Sequence, residues 1–450
     1  MLPARLPVYI AAVIGMSLPL GMAHASTSGA SNQAPAFSFL RANEDWSRYY
    51  NNDYKHVKLN SSGDNWVSFG GHVRYRGEFW RNLGFNDDND DIFHLARATG
   101  HADFHFGEKV RLFTEIKSAG ATERDLPGKR RTLDVDTLAL QQAFVDYQFT
   151  PEARLRLGRQ ALSFGKQRLV SPLPWGNTLR TWDGVRLDYN SGGWNTAVFA
   201  TQFVPVRKFE FNQAEDDIAF NGIYSSGVLS KATKTDLYWL NLQNTDDQNI
   251  HTLGGRINHK GSGWDLDVEA AAQTGTDAAD NDVSAWMLGS ELGFSVTSGA
   301  LKRYFVGLDY GSGDDDLSDD NNGTFNQLFP LGHAYLGFAD HIGRRNVLAG
   351  NIGLILKPMA KLTTRVQLHT FYKAEKEDAV YNAGGAALPG TANSEDTHIA
   401  DELDVVVSYA YTKQVKFSGG VSYLMAGDVI EERDNDDDVI FAYWSANYNF

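Results

Sequence analysis

The chain contains no cysteine, so no disulfide framework holds it together and no thiol nucleophile is open to it. Past the amino-terminus no stretch offers the roughly 18 consecutive apolar residues of a membrane helix, so a membrane, if one is crossed, is crossed by strands. No Pro- or Ser-rich linker divides the 450 residues, although a soluble chain of that length usually splits into domains. Phosphate loops, metal-ligand spacings and nucleic-acid motifs are missing as well, which leaves no cofactor or metal to expect. With 56 acidic against 41 basic residues, a formal net charge of -15, the chain would repel nucleic acid. Asp340-His341 and a serine such as Ser171 hold the residue types of a hydrolase site, but no G-x-S-x-G elbow accompanies them. The sequence therefore points away from an enzyme.

What is present is a rhythm. From Ile440 every second residue of the final stretch (Ile440, Ala442, Trp444, Ala446, Tyr448, Phe450) is apolar or aromatic, and the interleaved positions run towards Ser445, Asn447 and Asn449. A period of two is a strand with one greasy face, and its edge needs a partner strand elsewhere in the chain. Closing a barrel supplies one. Trp444, Tyr448 and Phe450 suit an aromatic girdle at a membrane interface. The mean hydropathy of -0.36 with 12% aromatic residues fits strands with half of each facing lipid and half facing water.

The first residues stand apart. Arg5, an apolar stretch from Val8 to Leu20 and Ala23-His24-Ala25 before Ser26 read as a secretory signal peptide over residues 1–25. Its removal takes away Arg5 and no acid, so the net charge goes from -15 to -16. Residues 26–65 have no strand rhythm and read as a periplasmic lead-in, with the barrel over 66–450. Eighteen candidate strands follow, near 66–81, 92–106, 109–118, 138–149, 154–164, 179–190, 194–205, 220–230, 234–244, 250–260, 263–274, 284–298, 302–311, 346–357, 361–374, 400–412, 415–427 and 438–450. Connections after even-numbered strands are short, such as Gly107-Glu108 and Lys413-Gln414, whereas those after odd-numbered strands are mostly long, as in 119–137, 165–178 and 312–345. Loops sorted by parity are the mark of a bacterial outer-membrane barrel with short periplasmic turns and long extracellular loops; a soluble sandwich or propeller has no reason to sort them. The expected fold is thus all-β, a single antiparallel transmembrane barrel in the outer membrane of a Gram-negative bacterium. About sixteen to eighteen strands leave a wet lumen, unless the loops fill it.

Alternation then sorts the side chains. With Val67, Phe69, Val73, Tyr75 and Phe79 towards lipid, His72, Arg74, Arg76 and Glu78 face inward. The same phasing turns in Arg97, His101, Asp103, Arg111, Glu115, Lys117, Arg154, Arg156, Arg180, Arg186, Arg256, Arg303 and Arg365. Arg159 breaks it: strict alternation puts Arg159 on the lipid face with Leu155 and Leu157, so a bulge or strand end has to intervene. Carboxylates also face in, among them Asp265, Asp267, Glu269, Asp309, Glu402 and Asp404, while most negative charge lies in loops such as 314–322 and 431–438. Those loops read as solvated, or bridged to surface lipid by divalent cations. An arginine-lined constriction bordered by carboxylates selects and orients anions; the competing reading is that the charges pair across strands and stiffen the wall. The apolar run Phe329 to Phe338 in the longest outer loop is expected to fold into the mouth and pack there.

Three segments resemble one family: Arg156 to Leu187 (R-L-G-R-Q-A-L-S-F-G-K-Q-R-L-V-S-P-L-P-W-G-N-T-L-R-T-W-D-G-V-R-L), Asn326 to Asn346 (N-Q-L-F-P-L-G-H-A-Y-L-G-F-A-D-H-I-G-R-R-N), and R-A-N-E-D-W-S at Arg41 to Ser47. They are similar to the alginate-export outer-membrane proteins. That resemblance implies an eighteen-stranded barrel passing an anionic uronic-acid polymer through an arginine-lined pore. It places Arg156, Arg159, Arg168, Arg180, Asp183 and Arg186, with Lys129, Arg130 and Arg131 of the second outer loop, at the pore and its outer mouth. One departure stands out. The exporter's long periplasmic connection between strands 16 and 17, which plugs its pore, is here only about Lys413-Gln414. This leaves open an ungated channel for small anionic solutes beside export of an anionic polysaccharide. A closed structural or adhesive barrel is the third reading. Export would need a periplasmic partner or a polymer gradient, because the chain carries no engine of its own.

Overall fold

In the computed structural model, which describes residues 34–49, 53–214 and 217–450, the first and last long strands meet: Val73 pairs with Tyr448 and Arg81 with Ile440. The sheet is therefore a closed antiparallel barrel. Its eighteen strands are β1 (Asn65–Arg81), β2 (Asp91–Phe106), β3 (Val110–Ala121), β4 (Asp136–Gln148), β5 (Ala153–Gln160), β6 (Trp182–Ser191), β7 (Trp194–Phe203), β8 (Ile218–Val228), β9 (Thr233–Asn244), β10 (Asn249–Lys260), β11 (Trp264–Thr276), β12 (Asp282–Ser295), β13 (Leu301–Gly311), β14 (Val347–Met359), β15 (Leu362–Tyr372), β16 (His398–Ala410), β17 (Val415–Ala426) and β18 (Val439–Asn449). Two strands of two residues ride on it, Val57–Lys58 against β1 and Asn321–Asn322 beside β12. The amino-terminal stretch read as a signal peptide lies outside the described residues.

Closure matters because in hydrocarbon each unpaired backbone group costs several kcal/mol. Period-two alternation does the rest. In β18 Trp444 is 50% exposed on the outer face while its neighbours Tyr443 and Ser445 are buried inside. Exposed aromatics gather towards both strand ends: Tyr147, Tyr189, Trp264, Phe417 and Tyr448 at the short-turn end, Trp286, Tyr372 and Tyr423 towards the other. These are the two girdles of a membrane barrel.

The largest departure from the expected strand bounds lies at β5 and β6. Strand pairing there stops at Gln160–Trp182, because residues 161–181 leave the wall and turn into the bore, where Leu162 packs in a buried apolar cluster. The inner face is not uniformly polar either. At the long-loop end Phe220, Leu240, Ile250, Val283 and Met287 face inward and are covered by Val170, Phe325 and Phe329. Across the bore Phe93, Phe371, Val439 and Phe441 are covered by Leu126, Leu336 and Ile342. Inward loops need an apolar seat, so alternation of apolar and polar residues lapses where the loops sit down. The run Phe329 to Phe338 packs as its composition suggests, with Phe329 against Trp182, Phe203 and Phe220.

Candidate pore constriction

Two loops cross the bore. Residues 161–181 run from β5 to the far wall, where Arg168 donates to Asp267 at 2.6 Å and to Glu269 at 3.2 Å on β11. They then return to the near wall. There Arg74 donates to the carbonyls of Pro174 (3.1 Å), Trp175 (3.0 Å) and Gly176 (2.7 Å), Arg76 to Trp175 (2.7 Å) and Arg97 to Gly176 (2.8 Å). The Arg76 guanidinium also lies 4.1 Å over the Trp175 ring. Asn177 fastens the turn by donating to the carbonyls of Ala96, Gly120 and Asp134.

Residues 326–345 of the longest loop dip in beside this segment. Phe329 and Leu169 share a backbone hydrogen bond, Tyr335 donates to the Lys166 carbonyl, and His333 stacks on Trp175 with 3.8 Å between ring centres. Arg180 donates to the Pro330 carbonyl at 2.9 Å, and Arg344 joins Asp309 (2.6 Å) to the Arg168 carbonyl (3.0 Å). Below, the N–H of Ala339 and that of Phe338 donate to Glu402 and Asp404 of β16. The result is one hydrogen-bonded layer across the interior.

The remaining inward cations are mostly paired. Arg111 holds Asp103 at 2.7 Å, Lys117 holds Asp136 at 2.9 Å, and Arg156 grips Asp146 with two bonds at 2.7 and 2.8 Å while its guanidinium lies 3.6 Å from the Phe144 ring centre. Arg154 and Arg186 share Asp188, Arg256 bridges Asp236 and Asp267, and Arg303 bridges Asp265 and Glu291. Arg365 has no carboxylate in ion-pair reach among the described residues; it lies 4.9 Å over the Phe305 ring. Arg159 is taken up by Asp183 through two bonds (2.7 and 2.8 Å) and by the carbonyls of Leu140 and Asn212. Its departure from strict alternation has a local cause: Gly158, with φ +120°, faces Gly184, with φ +157°, and a left-handed residue re-aims the next side chain along the strand. In the second outer loop Lys129 and Arg130 are exposed, and Arg131 pairs with Asp134 at 2.9 Å.

The cations around the near-wall turn differ from the rest. Arg74, Arg76, Arg97 and Arg180 meet main-chain carbonyls, and among the described residues only Arg76 of the four has a carboxylate, Glu78 at 2.6 Å. Carbonyl oxygens neutralise nothing, so this side of the constriction keeps net positive charge facing the mixed charges of β9–β13. Arg180, expected on a strand over 179–190, instead lies in the inward loop, because strand pairing begins only at Trp182, while sequence reasoning found Arg74, Arg76 and Arg97 by phase. It missed their partners, because main-chain carbonyls have no sequence signature beyond the Leu173-Pro174-Trp175-Gly176 turn. Residues 34–46 of the stretch read as a periplasmic lead-in enter the short-turn end of the barrel. Arg41 donates to the main-chain oxygen of Phe450 at 2.8 Å, Arg111 donates to the Ala42 carbonyl at 2.7 Å, and Ala42 packs on Phe113 and Phe144. Phe37 and Trp46 are too apolar to stay in water, which gives the segment its reason to dock. Asp340, His341 and Ser171 form no catalytic set. His341 accepts from the Gly84 N–H and contacts the Ala339 carbonyl, and Ser171 donates to Gln167.

A closed eighteen-stranded cylinder with two aromatic girdles and an inward-loop constriction defines a porin-type channel of the Gram-negative outer membrane. The chain belongs to the alginate export family, whose sequence model matches residues 65–439. The fold is also that of solved outer-membrane proteins. It is similar to Pseudomonas aeruginosa OccD3 (OpdP), at 11% identity over 88% of this chain and 93% of that one with a TM-score of 0.58. Acinetobacter baumannii OccAB4 matches at 13% identity over 85% and 98%, TM-score 0.59. Pseudomonas aeruginosa OpdK, solved with vanillate, matches at 9% identity over 85% and 98%, TM-score 0.57. No curated protein matches the chain by sequence.

Proposed function

We propose that the barrel passes anionic carbohydrate, an alginate-type uronic-acid polysaccharide or its fragments, through a constriction that favours carboxylates. The observation carrying this reading is the guanidinium group at Arg74, Arg76, Arg97 and Arg180, clamped in place by carbonyls and left with one carboxylate among them. Preorganised cations against carboxylates on the opposite wall set up a transverse field that draws in anions and orients them. Lys129 and Arg130, exposed in the second outer loop, extend positive charge to the outer mouth. The family membership supports the substrate class.

A second reading, diffusion of small acidic solutes, is favoured by the two loops that cross the bore and by the short connection at residues 411–414 in place of a long plug. OpdK with its vanillate, an acid small enough for such a passage, supports it by likeness of fold. Liposome swelling separates the two. Entry of uronic-acid oligomers at rates comparable with small acids favours the first; exclusion of all but monomers favours the second. Planar bilayers test what both share, and a channel without anion preference would end both readings. Delivery to the outer membrane through a cleaved signal over residues 1–25, and any periplasmic partner that drives export, belong to the same proposal.

A further inference from the structure

We propose that the space beneath the loop layer is a binding chamber for one uronic-acid unit or a hydroxylated carboxylate of similar size. The inference rests on the reading above, that the bore handles acidic carbohydrate. The cavity measures about 380 Å3, within the roughly 300–1,000 Å3 of small-ligand pockets. Its wall is the inner face of six neighbouring strands, β17, β18 and β1–β4; its roof is Pro172 and Leu179 of the inward loop, and its floor is residues 37–41 of the docked amino-terminal segment.

Three features of the lining point to one ligand chemistry. The first is charge. Arg41, Arg97 and Lys416 line the chamber against a single lining carboxylate, Glu115, to which Gln142 already donates at 2.8 Å. Arg41 is shared with Glu44 at 3.2 Å, whereas the Lys416 ammonium carries no ion pair or hydrogen bond among the described residues. The second is amide groups with polar atoms to spare. Gln142 is engaged by Glu115 and the Ala161 N–H, and Asn447 by His72 and Ser445, but the Gln141 Oε1 and the Asn449 Nδ2 have no hydrogen-bond partner among the described residues, an acceptor and a donor that suit hydroxyl groups. The third is Phe39, which keeps 43% of its surface uncovered in an otherwise packed interior. A ring exposed to a wet chamber offers a flat apolar surface to the C–H face of a pyranose. The Arg97 guanidinium lies 5.9 Å from the centre of that ring, where it would meet a carboxylate on a sugar stacked there. A carboxylate, several hydroxyls and one apolar face together describe a uronic acid. A plain aliphatic acid leaves the amides and the ring unused, and a neutral sugar leaves the cations unused.

Calorimetric titration of the full-length protein in detergent with glucuronate, glucose and acetate tests this, alongside Lys416→Gln and Ser38→Trp. Ser38 lines the floor, so an indole there fills the chamber; both variants are first checked for the heat-dependent gel mobility of a folded barrel. Glucuronate should bind at one site per chain, more tightly than glucose or acetate. Lys416→Gln should weaken glucuronate about tenfold, the loss of one charge-assisted hydrogen bond, and leave glucose unchanged. Ser38→Trp should abolish binding. Glucuronate binding that is absent, or is untouched by both variants, overturns the chamber, as does equal affinity for acetate. Bilayer selectivity reports separately on transport. Anion preference without chamber-dependent binding removes only this inference, and chamber-dependent binding in a channel without anion preference removes only the transport reading.

Discussion

The near wall, β1–β4, and the far wall, β9–β13, both turn arginine into the bore and use it differently. On the far wall each strand arginine sits between acids: Arg256 between Asp236 and Asp267, Arg303 between Asp265 and Glu291. On the near wall Arg74 and Arg97 are direct cross-strand partners, an arrangement of like charges that is unfavourable on a sheet. They tolerate each other because each gives its N–H groups to carbonyls of residues 174–176. The far wall uses charge to stiffen itself and to anchor Arg168. The near wall uses charge to hold a loop, and what remains un-neutralised is a field. Pairing and pore lining, alternatives when read from the sequence, coexist in one cylinder: the far-wall arginines pair, and the near wall keeps pairs such as Arg111–Asp103 and Lys117–Asp136 beside the arginines that hold the loop.

The contrast can be broken, and the largest effect is expected on the far wall. Arg256→Gln leaves Asp236 without its cation and Asp267 with Arg168 alone. The loss of one partner from such a buried set costs about 3–5 kcal/mol, read as a lower unfolding temperature on heated gels with little change in ion selectivity. A stability equal to the parent's would mean that the far-wall charges are not structural.

Next is the seam between the walls. Gly158→Ala places a methyl group against the Ala143 carbonyl oxygen at a left-handed φ, with an expected cost of about 1–3 kcal/mol and loss of the Arg159–Asp183 pair. The double change Arg74→Gln and Arg97→Gln should act the other way round. The anion-to-cation permeability ratio in bilayers should fall on the order of tenfold, with noisier current as residues 172–178 lose their clamps; an unchanged ratio would remove the near wall as the source of selectivity.

The smallest effect concerns the docked amino-terminal segment. Lys55, which donates to the Phe450 main-chain oxygen at 3.0 Å and sits over the Trp46 ring, has its pKa pulled down to about 8 by burial, with Arg41 adding to the shift. An exposed lysine holds its proton to about 10.4. Between those values the undocked state binds more protons, so docking strengthens as pH rises through that window and is weakest below it. Protease cleavage within residues 34–49 should slow between pH 7 and pH 10, and Lys55→Met should flatten the dependence. A rate that rises instead would show that the charged amine is favoured where it lies.

Period-two alternation by itself determined the barrel. Trp444 against Ser445 assigns an outer and an inner face, loops sorted by parity assign two ends, and the phases of Arg74, Arg97 and Arg256 come with them, because a charge on the lipid face costs more than any local preference returns. The family resemblance was legible for a similar reason, since residues 156–187 hold the turn that the arginines clamp. Only the tertiary structure decided what those arginines do. Arg74 meets Gly176 and Arg168 meets Asp267 across distances in sequence that no periodicity encodes. Residues 34–46 turn inward, and Phe220 and Phe441 face the bore, because burial of loop side chains is settled by whatever surface folding brings opposite them. Strand phase is a local property of the chain; partnership in the lumen is a property of closure.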